Sequence, residues 1–189
     1  MVVRVTVLAV VAILLGGCDG GSDDEAPPGT SPATTLPPPV LDGAATEPVT
    51  SDAAAMETAL LTDVRVASHE GYDRVVFEFQ NGVPGYDIRY LERPVRADGS
   101  GDEVAVAGSA VLVVRMEPAL DADLTQESAP PTYKGPTRFS PDAAVVVELV
   151  RIGGFEAVLA WAIGTDGKLP FLVTELQDPA RLVIDIATT

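Results

Sequence analysis

The chain of 189 residues has one cysteine, one histidine and one tryptophan, and aromatic side chains make up only 5% of it. A lone thiol cannot close a disulfide within the chain, and Cys18 with His69 cannot assemble a His/Cys metal site, which needs several such ligands. Positive charge is scarce as well: 12 Lys and Arg stand against 28 Asp and Glu, a formal net charge of −16. A field of that sign repels a phosphate backbone, so nucleic acid is not expected as a partner. The N-terminal apolar run, Val5 to Leu15, would span about 16 Å as a helix, roughly half a bilayer core, too short for a retained transmembrane segment. The sequence also has no G-x-S-x-G elbow, no H-E-x-x-H pair, no P-loop and no dinucleotide fingerprint. We therefore expect neither a cofactor nor an enzyme.

What is present at the N-terminus has a specific pattern. Met1-Val2-Val3-Arg4 is a short charged start, Val5 to Leu15 is apolar, and Gly16-Gly17 supplies small residues ahead of a processing cut. The string Leu15-Gly16-Gly17-Cys18 resembles the lipobox of bacterial lipoproteins. That resemblance implies a signal peptide over residues 1–17, a cut before Cys18, and a diacylglyceryl group on the Cys18 thiol. Loss of residues 1–17 removes Arg4 and no acid, so the mature chain is one unit more negative. Such a protein gains nothing from anionic headgroups; each buried lipid CH₂ contributes about 0.8 kcal/mol instead. The expected location is the extracytoplasmic face of the cell membrane, with Cys18 as the lipidation site.

Residues 18–60 read as a Pro-rich tether. Pro27, Pro28, Pro32, Pro37, Pro38, Pro39 and Pro48 are mixed with Gly, Ser, Thr and acids, with no aromatic residue between Asp19 and Thr50. The stretch from Asp19 to Thr50, as a flexible chain, averages roughly 30 Å end to end, enough to stand a domain off a bilayer. Ser51-Asp52 ahead of Ala53 to Met56 has the pattern of one short capped helix.

From residue 61 to 189 the pattern becomes short β-type runs. Val64 and Val66 alternate with polar neighbours, as do Val75, Phe77 and Phe79, and Asn81 to Gly85 turns the chain back onto Tyr86 to Leu91. Asp98 to Gly101 separates that strand from Glu103 to Ala107, and Val111 to Met116 follows. The C-terminal third reads as a meander. Its strands are Val145 to Ile152, Phe155 to Ile163, Leu169 to Leu176 and Leu182 to Ile186, with turns at Gly153-Gly154 and Asp166-Gly167. This many strands without a convincing helix predicts an all-β, antiparallel sandwich or closed barrel in one domain.

The same residues carry a family resemblance. Val64-Arg65 to His69, Asp73-Arg74-Val75-Val76-Phe77-Glu78-Phe79 and Asp178-Pro179-Ala180-Arg181-Leu182-Val183-Ile184-Asp185-Ile186 are similar to the AMIN domain. More closely, residues 61–187 resemble the AMIN-like domain of actinobacterial lipoproteins, with Tyr86, Gly108, Phe155-Glu156, Trp161 and Gly164 also in place. The resemblance implies a β-sandwich that binds peptidoglycan or another envelope component without catalysis. The alternative is a scaffold module docking another envelope protein, for instance by adding a strand to a sheet edge.

Candidate residues follow from this frame. The connection Pro118 to Asp142 has no periodicity and a length that compact domains seldom keep without a use. Within it Tyr133, Lys134, Arg138 and Phe139 alternate aromatics with cations, a combination suited to sugar rings and carboxylates. The competing reading is a loop folded over a sandwich edge, aromatics inward and cations matched to acids; both stay open at this level. His69 at a turn suits packing better than ligation, since no second histidine accompanies it. Arg74, Arg181 and Asp185 suit cross-strand ion pairs better than a binding face. Trp161 shares parity with Phe155, Leu159 and Ile163 and is expected in the core. Asp98, Ser100 and Asp102 open like a calcium loop, but the glycine is misplaced and no closing Glu follows, so a solvated turn is expected.

Overall fold

The computed structural model describes residues 41–53 and 57–188. The signal peptide, Cys18 and most of the tether expected from the sequence, and the body of the short helix expected after Ser51, lie outside the described residues.

Eleven strands are formed: β1 (Val49–Ser51), β2 (Ala59–His69), β3 (Tyr72–Gln80), β4 (Gly85–Leu91), β5 (Ala110–Glu117), β6 (Ala119–Leu120), β7 (Arg138–Phe139), β8 (Val146–Phe155), β9 (Val158–Thr165), β10 (Phe171–Leu176) and β11 (Ala180–Ala187). They make a five-stranded sheet in the order β10-β11-β3-β2-β6 and a six-stranded sheet in the order β1-β4-β5-β9-β8-β7. Every pairing is antiparallel except the short β2–β6 contact. The fold is the all-β sandwich that the sequence predicts, with no helix among the described residues.

Alternation explains which face each strand buries. Leu61, Val75, Phe77, Leu182 and Ile184 of the first sheet meet Ile88, Leu112, Val114, Leu149, Leu159 and Trp161 of the second in one continuous core. Trp161 is fully buried at 0% exposure, edge-on to Phe77 with ring centroids 6.1 Å apart. Truncating a buried ring of this kind to alanine costs about 3–5 kcal/mol, so it anchors the sandwich.

Strand β9 is buried on both faces. Its large residues Leu159, Trp161 and Ile163 face the core, while Ala160 and Ala162 face a second cluster with Val95, Val106, Val111, Val113, Val150 and Ile152. That cluster forms because residues 92–109 lie across the outer face of the six-stranded sheet. Glu103 to Ala107, expected as a strand, is instead part of this irregular cover, touching a ladder only through the Arg96–Glu103 bridge. Its apolar alternation, Val104 and Val106, arises from packing downward on a sheet rather than from pairing within one.

The glycines expected to turn β8 into β9 also have another use. The strand runs through Gly153-Gly154 with an irregular register at Arg151/Gly153, and the turn is Glu156-Ala157, both at positive φ (51° and 59°). A Cβ on Gly153 would lie 2.7 Å from Asp98 Oδ2 and 3.0 Å from Ala160 Cβ. The glycine is there for close approach of the 92–109 cover. Shifting the turn also carries Phe155 past the core to the hairpin tip, where it is 60% exposed despite sharing parity with Trp161.

Two crossings close the open sides of the sandwich. On one side, Ala45 exchanges both backbone hydrogen bonds with Phe171 (3.1 and 2.9 Å), and Val49–Ser51 then pairs with Ile88–Tyr86 of the other sheet. Residues 45–51, read from sequence as tether, thus strap β10 to β4, and Ser51 ends strand β1. On the other side, the chain from β6 to β7 crosses from the β2 edge to the β8 edge, with Thr132 Oγ1 donating to Leu61 O at 2.7 Å.

Candidate functional site

The second crossing contains the four side chains picked out by sequence. Tyr133 is 7% exposed and inserts into the core, its ring edge-on to Trp161 at 5.8 Å, with its hydroxyl donating to Pro136 O at 2.8 Å. Burial pushes its phenol up from the ordinary value. Phe139 is half-buried and packs on the same core. Arg138 donates to Glu148 Oε1 at 2.7 Å and to Ala105 O at 2.9 Å, while Glu148 accepts the Ala107 amide at 2.8 Å. Only Lys134 projects into solvent with no such partner among the described residues. The structure thus separates the four: the aromatics close a seam, and Arg138 ties it to the outer cover.

A different set of side chains converges on the outer face of the five-stranded sheet. Register places them there: Ala187, Tyr72 and His69 share one row, Asp185, Arg74 and Ala67 the next, and Thr174, Val183, Val76 and Arg65 the one after. Their sequence neighbours Asp73, Val75 and Phe77 point inward by strand alternation. The face of the other sheet is covered by residues 92–109; on this one Arg65, Ala67 and His69 of β2 are exposed, Tyr72 and Arg74 of β3 are half-buried, and Val183, Asp185 and Ala187 of β11 are buried.

At the end of that face the rings of His69 and Tyr72 stack at 4.9 Å with an interplanar angle of 23°. The hairpin that joins them is a two-residue turn, Glu70-Gly71, in which Gly71 takes φ 88°, a left-handed conformation glycine adopts without strain. The Arg74 guanidinium lies 5.3 Å from the Tyr72 ring centroid. It is held there by a fork to Asp185, Nε to Oδ1 at 2.7 Å and Nη2 to Oδ2 at 2.8 Å, which raises its affinity for its proton. Nη1 has no hydrogen-bond partner among the described residues. With Tyr72 stacked on one side of it, the exposed His69 imidazole can take a sugar face by C–H/π contact, and the neighbouring guanidinium can take a carboxylate by hydrogen bonding.

This pairing joins two distant parts of the sequence, the D-R-V-V-F-E-F strand and the R-L-V-I-D strand. The sequence pairs Arg74 with Asp185 across strands, as they are in the structure, and places His69 in a turn; Tyr72 is not among its candidate residues. Its signal was parity with Arg74, which places both on one face. Arg181, on the next row, uses its Nε on Pro179 O at 3.3 Å instead of joining the cluster.

A family model of the AMIN-like domain matches residues 59–188, every strand except β1. The chain belongs to the AMIN-like domain family. No curated protein and no solved structure matches it. Within this AMIN-like domain, the residues that carried the resemblance divide by face. Val75, Phe77, Leu182 and Ile184 build the core, whereas His69, Arg74 and Asp185 build the outer cluster.

Asp73 is the family-like residue whose role only the fold reveals. It is 0% exposed and accepts Ser68 Oγ at 2.7 Å and the amides of Ala144, Val145 and Val146 at 3.1, 2.6 and 2.9 Å. Burial pushes its carboxyl up, but the four donors outweigh burial and hold it below its usual value. It fastens one sheet of the AMIN-like sandwich to the other. Asp98, compared with a calcium ligand at the sequence level, pairs with Arg115 at 2.7 Å.

Proposed function

We propose that this AMIN-like domain is a non-catalytic binding module of the cell envelope, held outside the membrane by a lipid on Cys18, and that it takes peptidoglycan on the outer face of β2, β3 and β11. The observation that carries the reading is the stacked His69–Tyr72 pair with Arg74 over the Tyr72 ring. The exposed His69 ring, backed by Tyr72, suits the flat face of a sugar, and Arg74 suits the carboxylates of muramyl groups and stem peptides. The lipobox-like Leu15-Gly16-Gly17-Cys18 supports the anchor, and the family supports an envelope role.

The test is sedimentation with purified wall sacculi, using the chain from Asp19 onward so that acyl chains play no part. The unsubstituted chain is expected in the pellet, and a His69→Ala/Tyr72→Ala double variant in the supernatant. Failure of the unsubstituted chain to pellet overturns the peptidoglycan reading. Recovery of a crosslinked envelope protein in its place would move the assignment to the docking alternative. For the anchor, Cys18→Ala in cells should release the protein from the membrane fraction without loss of folding.

A further inference from the structure

In a strongly acidic protein, the cations without acidic partners are informative. Arg65, Arg74, Arg89, Arg115, Arg138 and Arg151 each pair with a carboxylate. Arg93, Arg96, Lys134, Lys168 and Arg181 have no such partner among the described residues, and of these Arg93 and Lys168 together line one depression of about 480 Å³ between the end of β4, the start of β5 and the β9–β10 turn. Tyr90, Leu91, Ser109 and Val111 line it too.

We infer that this depression is a second site, separate from the β2–β3–β11 face, for a small anion: a carboxylate or phosphate carried on an apolar or sugar body. Arg93 Nη2 donates to Gly108 O at 2.7 Å, an uncharged acceptor that orients the guanidinium and leaves its charge uncompensated. Lys168 Nζ lies 6.0 Å from the Tyr90 ring centroid. That ring is fixed because its hydroxyl donates to Leu169 O at 2.8 Å and accepts from Leu169 N at 3.0 Å.

The two walls are latched to each other. Ser109 N donates to Thr165 O at 2.7 Å, and Thr165 Oγ1 donates to Gly167 O at 2.8 Å. Gly108 sits at φ 101°, and a Cβ there would fall 2.7 Å from Thr165 O, so only glycine lets the walls meet this closely. The latch fixes the two backbone segments relative to each other before any ligand arrives, which lowers the entropic cost of binding. Between them, the Ser109 hydroxyl is a further donor. Leu91, 44% exposed, together with Val111 and the Tyr90 ring offers an apolar wall for the body that carries the anion. Glu92, the one carboxylate in the lining, is exposed and pairs with neither cation. It disfavours ligands with a second negative charge at that end.

The test is a titration of the chain from Asp19 onward, followed by amide NMR, with phenyl phosphate and hexanoate as probes and a parallel arm with phosphatidylglycerol vesicles. Saturable shifts are expected at Leu91, Arg93, Ser109 and Lys168. Arg93→Gln and Lys168→Gln, both at exposed positions that leave the fold intact, should each weaken binding by about tenfold or more. Capture by vesicles that the same substitutions abolish identifies the phosphate as a lipid headgroup; response to the soluble probes alone identifies a soluble anion. Shifts that fail to appear, that spread over the whole surface, or that survive both substitutions overturn the site. The His69→Ala/Tyr72→Ala variant should bind the probes unchanged, so the two sites fail or stand independently.

Discussion

Asp73 of β3 and Val145, one residue before β8, belong to different sheets, and the Asp73 carboxylate accepts the Val145 amide at 2.6 Å. With Ala144 and Val146 added, one carboxylate satisfies three successive backbone donors of the facing sheet. Buried amides left without an acceptor cost about 1–3 kcal/mol each, so Asp73→Ala should lower unfolding free energy by about 3 kcal/mol or more in denaturant titration.

The same carboxylate sets an acid dependence. Because its folded value is held low, its contribution is full above the unfolded value, about 3.9, and is lost as pH falls through the folded value. Thermal melts of the unsubstituted chain should therefore drop on acidification below that region. In Asp73→Asn this part of the drop should be missing, with lower stability at neutral pH.

Tyr133 separates packing from ligand contact. Tyr133→Phe removes only the bond to Pro136 O and should cost about 0.5–1.5 kcal/mol. Tyr133→Ala opens a cavity beside Trp161 and should cost about 3–5 kcal/mol. Sacculus binding measured on the folded fraction is expected to be unchanged in Tyr133→Phe.

On the outer face the expected pattern reverses. His69 is exposed and Tyr72 half-buried, and the His69→Ala/Tyr72→Ala chain should lose about 1–2 kcal/mol of stability, from the stack and the Arg74 contact, while losing sacculus binding. Arg74→Ala should do both, because it strands Asp185, whose side chain is only 6% exposed. An uncompensated buried carboxylate costs about 3–5 kcal/mol, and chemical denaturation of Arg74→Ala should show it.

The strap depends on Gly85. A Cβ there would sit 2.7 Å from Ala53 N and 2.8 Å from Glu117 O, both backbone atoms that cannot rotate away. Gly85→Val should displace β1 from β4. Hydrogen exchange at Val49 to Ser51 is expected to rise while the core amides of β9 stay protected.

Much of the sandwich is legible in the sequence because alternation in β2 and β3 is a local property: a side chain's face follows from its parity. Trp161 is recognisable as core for that reason. The Glu156-Ala157 turn is not, because Gly153-Gly154 looks like a turn until Asp98 of the outer cover is seen against it. The β1 strap is not legible either. Val49 to Ser51 has no pattern of its own, and its partner Tyr86 to Ile88 is supplied from elsewhere. For the outer cluster, Arg74 and Asp185 are legible as paired, but the His69–Tyr72 stack needs the geometry of the hairpin.

By itself the sequence determined the strand alphabet, the all-β class, the acidic field and the lipobox-like Cys18, since each depends on residue type and near neighbours. Only the tertiary structure decided that Tyr133 faces inward, that Asp73 locks two sheets, and that Arg93 and Lys168 share one depression. Those outcomes depend on which residues distant in sequence are brought within a few ångströms, and that is fixed by how two sheets and their crossings pack.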